Sequence, residues 1–144
     1  MARTFFMQRF EEPALALLRI VAGGMLMQHG AQKLFGVLGG FGGTPGARAE
    51  LASQMGLAGV IEFFVALLVL LGLFTRPAAF LTSGMMAAAY FMAHAPNGFF
   101  PLVNQGELAA LYCFVFLYLS ARGGGKFSVD AMLESRAAVR RTRI

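Results

Sequence analysis

Four long runs of apolar residues, separated by short polar or glycine-rich segments, dominate the chain. The first run begins at Pro13. Proline suits the first turn of a helix, so this position marks a helix start. Pro77 and Pro96 bound the third run, and glycines at 123–125 stop the fourth. Each run is apolar around the whole helix, a pattern typical of helices that do not face water. The sequence therefore predicts helices over about 13–35, 57–75, 77–95 and 103–121.

The composition places these helices in a membrane. Hydrophobic residues make up 58% of the 144 residues and charged residues only 13%, whereas soluble domains average about 25% charged residues. A spanning helix takes about 20 residues, so four spans exclude a large catalytic domain outside the bilayer. The single cysteine, Cys113, excludes an internal disulfide and a thiolate-rich metal site. We predict an all-α, integral membrane four-helix transmembrane bundle over residues 1–125, followed by a basic tail over 126–144.

The lysines and arginines predict the orientation of this bundle. Most of the 12 fall on the side that holds both termini, namely Arg3, Arg9, Arg76, Arg122, Lys126, Arg136, Arg140, Arg141 and Arg143. Because lysine and arginine accumulate on the cytoplasmic side of membrane proteins, both termini are predicted to be cytoplasmic. A basic tail beside a bilayer contacts anionic lipid. The net charge of +5 therefore indicates the lipid bilayer as a partner and argues against nucleic acid.

Titratable side chains within the spans are expected near one level of the membrane, toward the outer face. With the predicted orientation, this level holds His29, Lys33, Glu62, His94 and Glu107. At about 100° per residue, each helix presents one face tipped with such a group. Ionisable groups inside spans usually face the bundle interior.

Two further residues join this set through helical phase. Arg19 lies nearer the inner side but shares a face with Lys33, and Tyr90 shares a face with His94. On helix 4, the face that carries Glu107 also carries Leu111 and Tyr118.

Several interpretations of this cluster stay open. In one, Glu62 and Glu107 pair with Lys33 or Arg19 for structural reasons alone. In another, the cluster lines a polar cavity that binds a small polar or quinone-like ligand. Its groups would move protons, because histidines titrate near neutral pH and burial can raise the pKa of a carboxylate toward that pH. A metal site would use both histidines and both glutamates, but no short ligand motif brackets them, and no metal is predicted. The helical phases of His29 and His94 would allow the two histidines to hold a haem, but no feature of the sequence requires one.

The order of these residues resembles the DoxX family of small bacterial membrane proteins with four helices. The segments that carry the resemblance are His29-Gly30-x-x-Lys33-Leu34, Glu62, Gly72-Leu73-x-Thr75-Arg76-x-Ala78-Ala79, Glu107, and Gly123-x-Gly125-x-x-Ser128-x-Asp130. The resemblance implies a multi-pass protein of the bacterial inner membrane and redox work at the quinone pool. No flavin, NAD or iron–sulfur motif is found in the sequence, so an electron carrier would be bound by shape or belong to a redox partner, soluble or membrane-bound.

Three functions remain as alternatives. The first is a quinone-linked redox subunit, in which Glu62 and His29 handle protons, Lys33 and Arg19 act as their electrostatic partners, and His94, Glu107 and Tyr90 complete the ligand site. The second is a non-enzymatic scaffold that recruits a partner complex through the tail. The third is a small transporter, which would have to form a homo-oligomer because the chain shows no inverted repeat or broken helix. Whether the protein is an enzyme is left open, and Ser128 and Asp130 are expected to cap the C-terminal helix.

Overall fold

The computed structural model describes residues 6–141, which form helices joined by turns and loops, with no strand in this range. The helices are α1 (Glu11–Phe35), α2 (Gln54–Val60), α3 (Ala66–Leu71), α4 (Thr75–Ala89), α5 (Pro101–Asn104), α6 (Glu107–Arg122) and α7 (Val129–Arg141). Two π-helical segments, π1 (Ile61–Val65) and π2 (Tyr90–His94), join α2 to α3 and extend α4. Short 3₁₀ turns cover Phe6–Phe10, Phe41–Gly43 and Ala95–Asn97. The all-α prediction is confirmed over these residues.

Local backbone chemistry sets the helix ends, and three of them differ from the predicted positions by about three or four residues. The Ser53 hydroxyl accepts a hydrogen bond from the Gly56 N–H at 3.1 Å, so the second helix starts at residue 54 rather than 57. Gly72 adopts the left-handed conformation (φ 70°) and ends α3 at Leu71 rather than at 75. Gln105 also takes a positive φ of 59°, which separates α5 from α6 and delays the start of α6 to residue 107.

The long helices pack in two neighbouring groups. α1 lies against the segment α2–π1–α3, α4 lies against α6, and α4 also contacts α3 and π1. The core between them is apolar and includes Leu26, Val69, Ala79, Phe116 and Leu119. Large apolar side chains also cover the outside, among them Leu17, Phe64, Phe80, Phe91 and Phe114, each more than half exposed. An exposed apolar surface of this extent is expected for helices that face lipid.

Two helices between residues 6 and 141 are long and apolar enough to cross a membrane, Gln8–Phe35 and Gln54–Leu71. The sequence analysis expected four such helices. α6 has only 16 residues, fewer than the roughly 20 that a typical span uses.

The tail docks at the end of the molecule where α1 begins, α3 and α6 end and α4 begins, which we call the tail end. Arg122 pairs with Glu11 and Glu12 at 3.1 and 2.7 Å, and Glu12 also accepts the Lys126 N–H at 2.6 Å. Arg19, only 1% exposed, donates to the carbonyls of Val69 (2.9 Å), Leu70 and Phe127 (2.7 Å). The first residues of the predicted tail, 126–130, are therefore part of the packed structure.

Ser128 and Asp130 serve two different helices. The Ala131 N–H donates to the Ser128 hydroxyl at 3.2 Å, so the prediction that Ser128 caps the C-terminal helix is confirmed. For Asp130 that prediction is wrong. Its carboxylate accepts the N–H groups of Phe74 (2.8 Å) and Thr75 (2.9 Å) and the Thr75 hydroxyl (2.8 Å), so it caps the start of α4 instead.

The pKa of Asp130 follows from these contacts. Partial burial works to raise it, but the hydrogen bonds from Thr75 and Phe74 and the positive charge of Arg19 outweigh burial and hold it below its ordinary value of 3.8. Because the folded-state pKa is the lower one, the stability that this carboxylate contributes is complete above pH 3.8. It is lost as the pH falls through the folded-state value.

Replacing Asp130 with alanine is expected to lower the free energy of unfolding by about 1–2 kcal/mol, because the start of α4 loses its cap. Thermal unfolding of the protein in detergent between pH 2 and 7 measures this loss. The variant Asp130→Asn is the control, because asparagine also caps helices but does not titrate. We expect it to recover part of the stability and to show none of the acid dependence assigned to Asp130. An alanine variant with wild-type stability would contradict the role of this cap.

Candidate functional site

A cavity of about 510 Å³ lies at the end of the molecule opposite the tail end. The two walls nearest the start of the chain carry His29 and Lys33 from α1 and Glu62 from π1. Other parts of the wall carry His94 from π2 and Tyr112 from α6. Apolar side chains make up much of the remainder, including Leu26, Met55, Leu57, Ile61, Met85, Met86 and Leu108. Four of the sequence-predicted site residues thus line one space.

Lys33 and Glu62 form an ion pair at the edge of this cavity. The Lys33 Nζ lies 2.5 Å from a Glu62 carboxylate oxygen, and the two side chains are only 16% and 7% exposed. The sequence analysis left both Lys33 and Arg19 open as partners of Glu62, and the structure selects Lys33. Moving two charges out of water costs several kcal/mol per ion, so a buried pair is poor evidence for a purely stabilising role.

Gly30 brings the two halves of this ion pair together. A Cβ at this position would lie 2.5 Å from the Phe63 backbone nitrogen and 2.8 Å from the Glu62 carbonyl carbon. Only a glycine lets α1 approach the backbone of π1 this closely. One turn along α1 from Gly30, Lys33 then reaches the Glu62 carboxylate.

Both π-helical segments border the cavity. π1 carries Glu62 and π2 carries His94, and both residues line the cavity. Segments of this kind insert one residue into an α-helix and are frequent at functional sites. Their position marks this end of the molecule as the place where regular helix geometry is interrupted around titratable groups.

Tyr112 is the site residue that the sequence analysis missed. Its side chain is 5% exposed, and its hydroxyl has no hydrogen-bond partner among the described residues although it is fully buried. A buried hydroxyl without a partner costs about 1–3 kcal/mol. Helical phase could have found it, because Ala109, Tyr112, Phe116 and Leu119 form the buried face of α6.

The face of α6 that the sequence analysis chose is the outer one. Glu107, Leu111 and Tyr118 are all exposed, and Glu107 does not line the cavity. Glu107 is the first residue of α6, where a carboxylate complements the positive end of the helix dipole.

The other predicted residues take up distinct positions. His29 is exposed at the cavity, whereas His94 is half-buried. The Nδ1 of His94 donates a hydrogen bond to the Asn104 carbonyl at 3.1 Å. In a neutral ring, Nε2 is then the acceptor nitrogen. Tyr90 lies beneath His94, with ring centroids 6.4 Å apart; its hydroxyl donates to the Phe99 carbonyl and accepts from the Asn104 amide at 3.3 Å. Tyr90 therefore supports His94 and the loop before α6 and does not itself line the cavity.

Arg19 belongs to the tail end and not to this site. Its guanidinium is bound to backbone carbonyls near the end of α3 and in the tail. The grouping of Arg19 with Glu62 is therefore not found in the structure. Within residues 6–141, no group of three or more histidine, cysteine, aspartate or glutamate side chains is arranged to hold a metal ion.

The site combines apolar walls with a few polar groups of defined function. Lys33 is a donor held by Glu62, Tyr112 is an unused donor, and His94 is held through its Nδ1 by the Asn104 carbonyl. Cavities of this size and character are typical of small-molecule sites. The arrangement suits an apolar ligand that carries hydrogen-bonding oxygens.

Comparison with known proteins identifies the family. Residues 14–95, from α1 to the end of π2, match the DoxX family. An uncharacterized protein of Haemophilus influenzae is 41% identical over 127 residues, which cover 86% of this chain and 93% of the relative. No solved structure matches the chain. The matched residues include Lys33, Glu62 and His94, and the chain belongs to the DoxX family of membrane proteins.

Proposed function

We propose that this protein is a membrane subunit of a quinone-linked redox system and that its cavity binds the quinone ring. The observation that carries the proposal is the pairing of a buried Lys33–Glu62 ion pair with the unpartnered Tyr112 hydroxyl on an otherwise largely apolar cavity. A quinone has an apolar ring and two carbonyl oxygens that accept hydrogen bonds. Lys33 and Tyr112 are donors for such oxygens, and the apolar walls accommodate the ring.

The proposed chemistry needs protons as well as electrons. Reduction of a quinone to a quinol consumes two electrons and two protons, one proton for each oxygen. The electrons come from a redox partner, either soluble or membrane-bound. Lys33 and Tyr112 donate the hydrogen bonds to the oxygens, and exposed His29 exchanges protons between the cavity and water. Glu62 holds the Lys33 ammonium group in position through the ion pair.

We further propose that the protein crosses the bacterial inner membrane four times, with the tail end in the cytoplasm. The supporting observations are the helix ends that lie alternately at the tail end and at the cavity, the exposed apolar side chains, and the basic residues at the tail end. A cysteine in α7 should then react with a membrane-impermeant maleimide only in inside-out vesicles. Reaction in intact spheroplasts would overturn this orientation.

Replacing Tyr112 with phenylalanine is expected to weaken binding of a short-chain benzoquinone analogue about tenfold, because one hydrogen bond to the ligand is worth on the order of 1.5 kcal/mol. The midpoint of thermal unfolding without ligand should stay the same or rise, since the hydroxyl has no partner within the described residues to lose. Calorimetric titration of the purified protein in detergent measures the affinity, and scanning calorimetry without ligand measures the unfolding midpoint.

The matched control is Tyr118→Phe, which removes the same hydroxyl from the exposed face of the same helix. Its affinity for the analogue should equal that of the wild type. Equal affinities for all three proteins, or no binding of the analogue to the wild type, would refute the proposed ligand site.

A further inference from the structure

α7 is a basic helix whose outer part is not covered by the rest of the protein. Every residue from Met132 to Arg141 is exposed, and α7 has no buried residue. At 13 residues, it is near the length at which isolated helices are marginal in water. We therefore expect the exposed side of α7 to pack against another surface that stabilises the helix.

The fold holds the start of α7 at the boundary of the membrane helices. Asp130 binds the first residues of α4, and the Asp130 N–H donates to the Gly72 carbonyl at 2.8 Å, at the end of α3. Ser128 packs against Gly72 as well, since a Cβ on that glycine would lie 2.5 Å from the serine Cβ. α7 therefore starts at the level where the apolar helices end, which is the level of lipid headgroups.

The exposed side of α7 combines apolar and basic residues. At about 100° per residue, Met132, Leu133, Arg136 and Arg140 fall within one arc of about 100°, and Asp130, which binds α4, lies outside it. Phe127, just before the helix, is 62% exposed. Interfacial helices bury apolar side chains at the edge of the acyl chains, and their arginines extend to the phosphates.

We propose that α7 is an interfacial helix that lies on the anionic surface of the bilayer holding α1 to α6. Phe127, Met132 and Leu133 enter the boundary between headgroups and acyl chains, and Arg136 and Arg140 contact lipid phosphates. Arg141 lies outside this arc and adds positive charge within a Debye length of the surface. The charge complementarity of these arginines and their position next to the membrane helices favour lipid over a protein partner. This proposal rests on membrane embedding and is independent of the ligand in the cavity, so a failure to bind quinone does not affect it.

The test uses the full chain with Cys113→Ser and Met132→Cys, labelled at residue 132 with an environment-sensitive fluorophore. The protein is reconstituted either into phosphatidylcholine vesicles or into vesicles of equal parts phosphatidylglycerol and phosphatidylcholine. Both leaflets have the same composition, so the direction of insertion does not matter. We expect a blue shift and protection from iodide quenching in the anionic vesicles only, and both should weaken as salt is added.

Two triple variants in this background make the test specific. R136Q/R140Q/R141Q should lose the blue shift, since about fivefold in the docking equilibrium for each arginine gives a loss on the order of a hundredfold. R136K/R140K/R141K should keep it, because the surface potential acts on charge and not on guanidinium shape. Unchanged unfolding midpoints would show that both variants fold.

Other outcomes would overturn the proposal. Equal quenching in neutral and anionic vesicles would show that the binding of α7 to the membrane does not depend on lipid charge. Loss of the shift in the lysine variant would indicate a protein partner that recognises the guanidinium groups by their geometry. Protection that appears only when a soluble protein is added would also indicate a protein partner.

Discussion

Replacing Lys33 with methionine is expected to destabilise the protein by about 3–5 kcal/mol, because it leaves the Glu62 carboxylate buried without a counter-charge. Glu62 is 7% exposed, and Lys33 is its ion-pair partner at 2.5 Å. Methionine keeps the length and apolar stem of lysine, so the loss arises from the charge and not from packing. Unfolding of the purified protein by titration with a denaturing detergent, followed by circular dichroism, measures the difference.

The double variant Lys33→Met/Glu62→Leu separates stability from function. Removing both charges replaces the ion pair by apolar contact, which is often neutral or stabilising, so this protein should be about as stable as the wild type. It should nevertheless fail to bind the benzoquinone analogue, because the charged donor is gone. If the double variant bound the analogue as tightly as the wild type, the ion pair would have no role in the site. If it were as unstable as the single variant, uncompensated charge would not explain the loss.

Replacing Gly30 with alanine is expected to cost about 3 kcal/mol, at the upper end of the usual range for overpacking. The added Cβ would meet the backbone of π1 at 2.5 Å, and a backbone atom cannot turn aside as a side chain can. α1 and π1 must then separate, which also pulls Lys33 away from Glu62. The same detergent titration measures the stability, and binding of the analogue should fall with it.

Gly24 offers a matched control within the same helix. A Cβ there would meet the Leu70 Cδ1 at 3.6 Å, an ordinary contact with a movable side chain. Gly24→Ala should therefore be neutral, or stabilising by up to about 1 kcal/mol, since alanine has the higher helix propensity. Equal losses for the two alanine variants would show that close approach at Gly30 is not what matters.

The helices were predictable because the sequence marks them with prolines, glycines and long apolar runs. The exact ends were less so. Ser53 caps α2 with its own side chain, so the start of this helix could have been predicted from the sequence. Gln105 takes a left-handed conformation that its residue type does not favour. The π segments have no pattern of their own in the sequence.

The site was predictable in its residue types and only partly in its partners. Lys33, Glu62 and the histidines are the titratable groups of apolar helices, and such groups avoid lipid. Which of them meet depends on which helices are neighbours. Arg19 was misplaced because its acceptors are backbone carbonyls near the end of α3, and any sequence has carbonyls there. Glu107 was misplaced because a carboxylate at a helix start satisfies the dipole without facing the interior.

The contacts at the tail end also bear on the order in which the protein is made. Arg19, near the start of the chain, needs the carbonyl of Phe127, and α4 needs the carboxylate of Asp130. A ribosome delivers both of these after the helices α1 to α6. Until residue 130 has emerged, the Arg19 guanidinium lacks one of its three carbonyl acceptors and α4 lacks its cap. Assembly of this end therefore waits until the segment that follows α6 has been made, and that segment completes contacts that α1 begins.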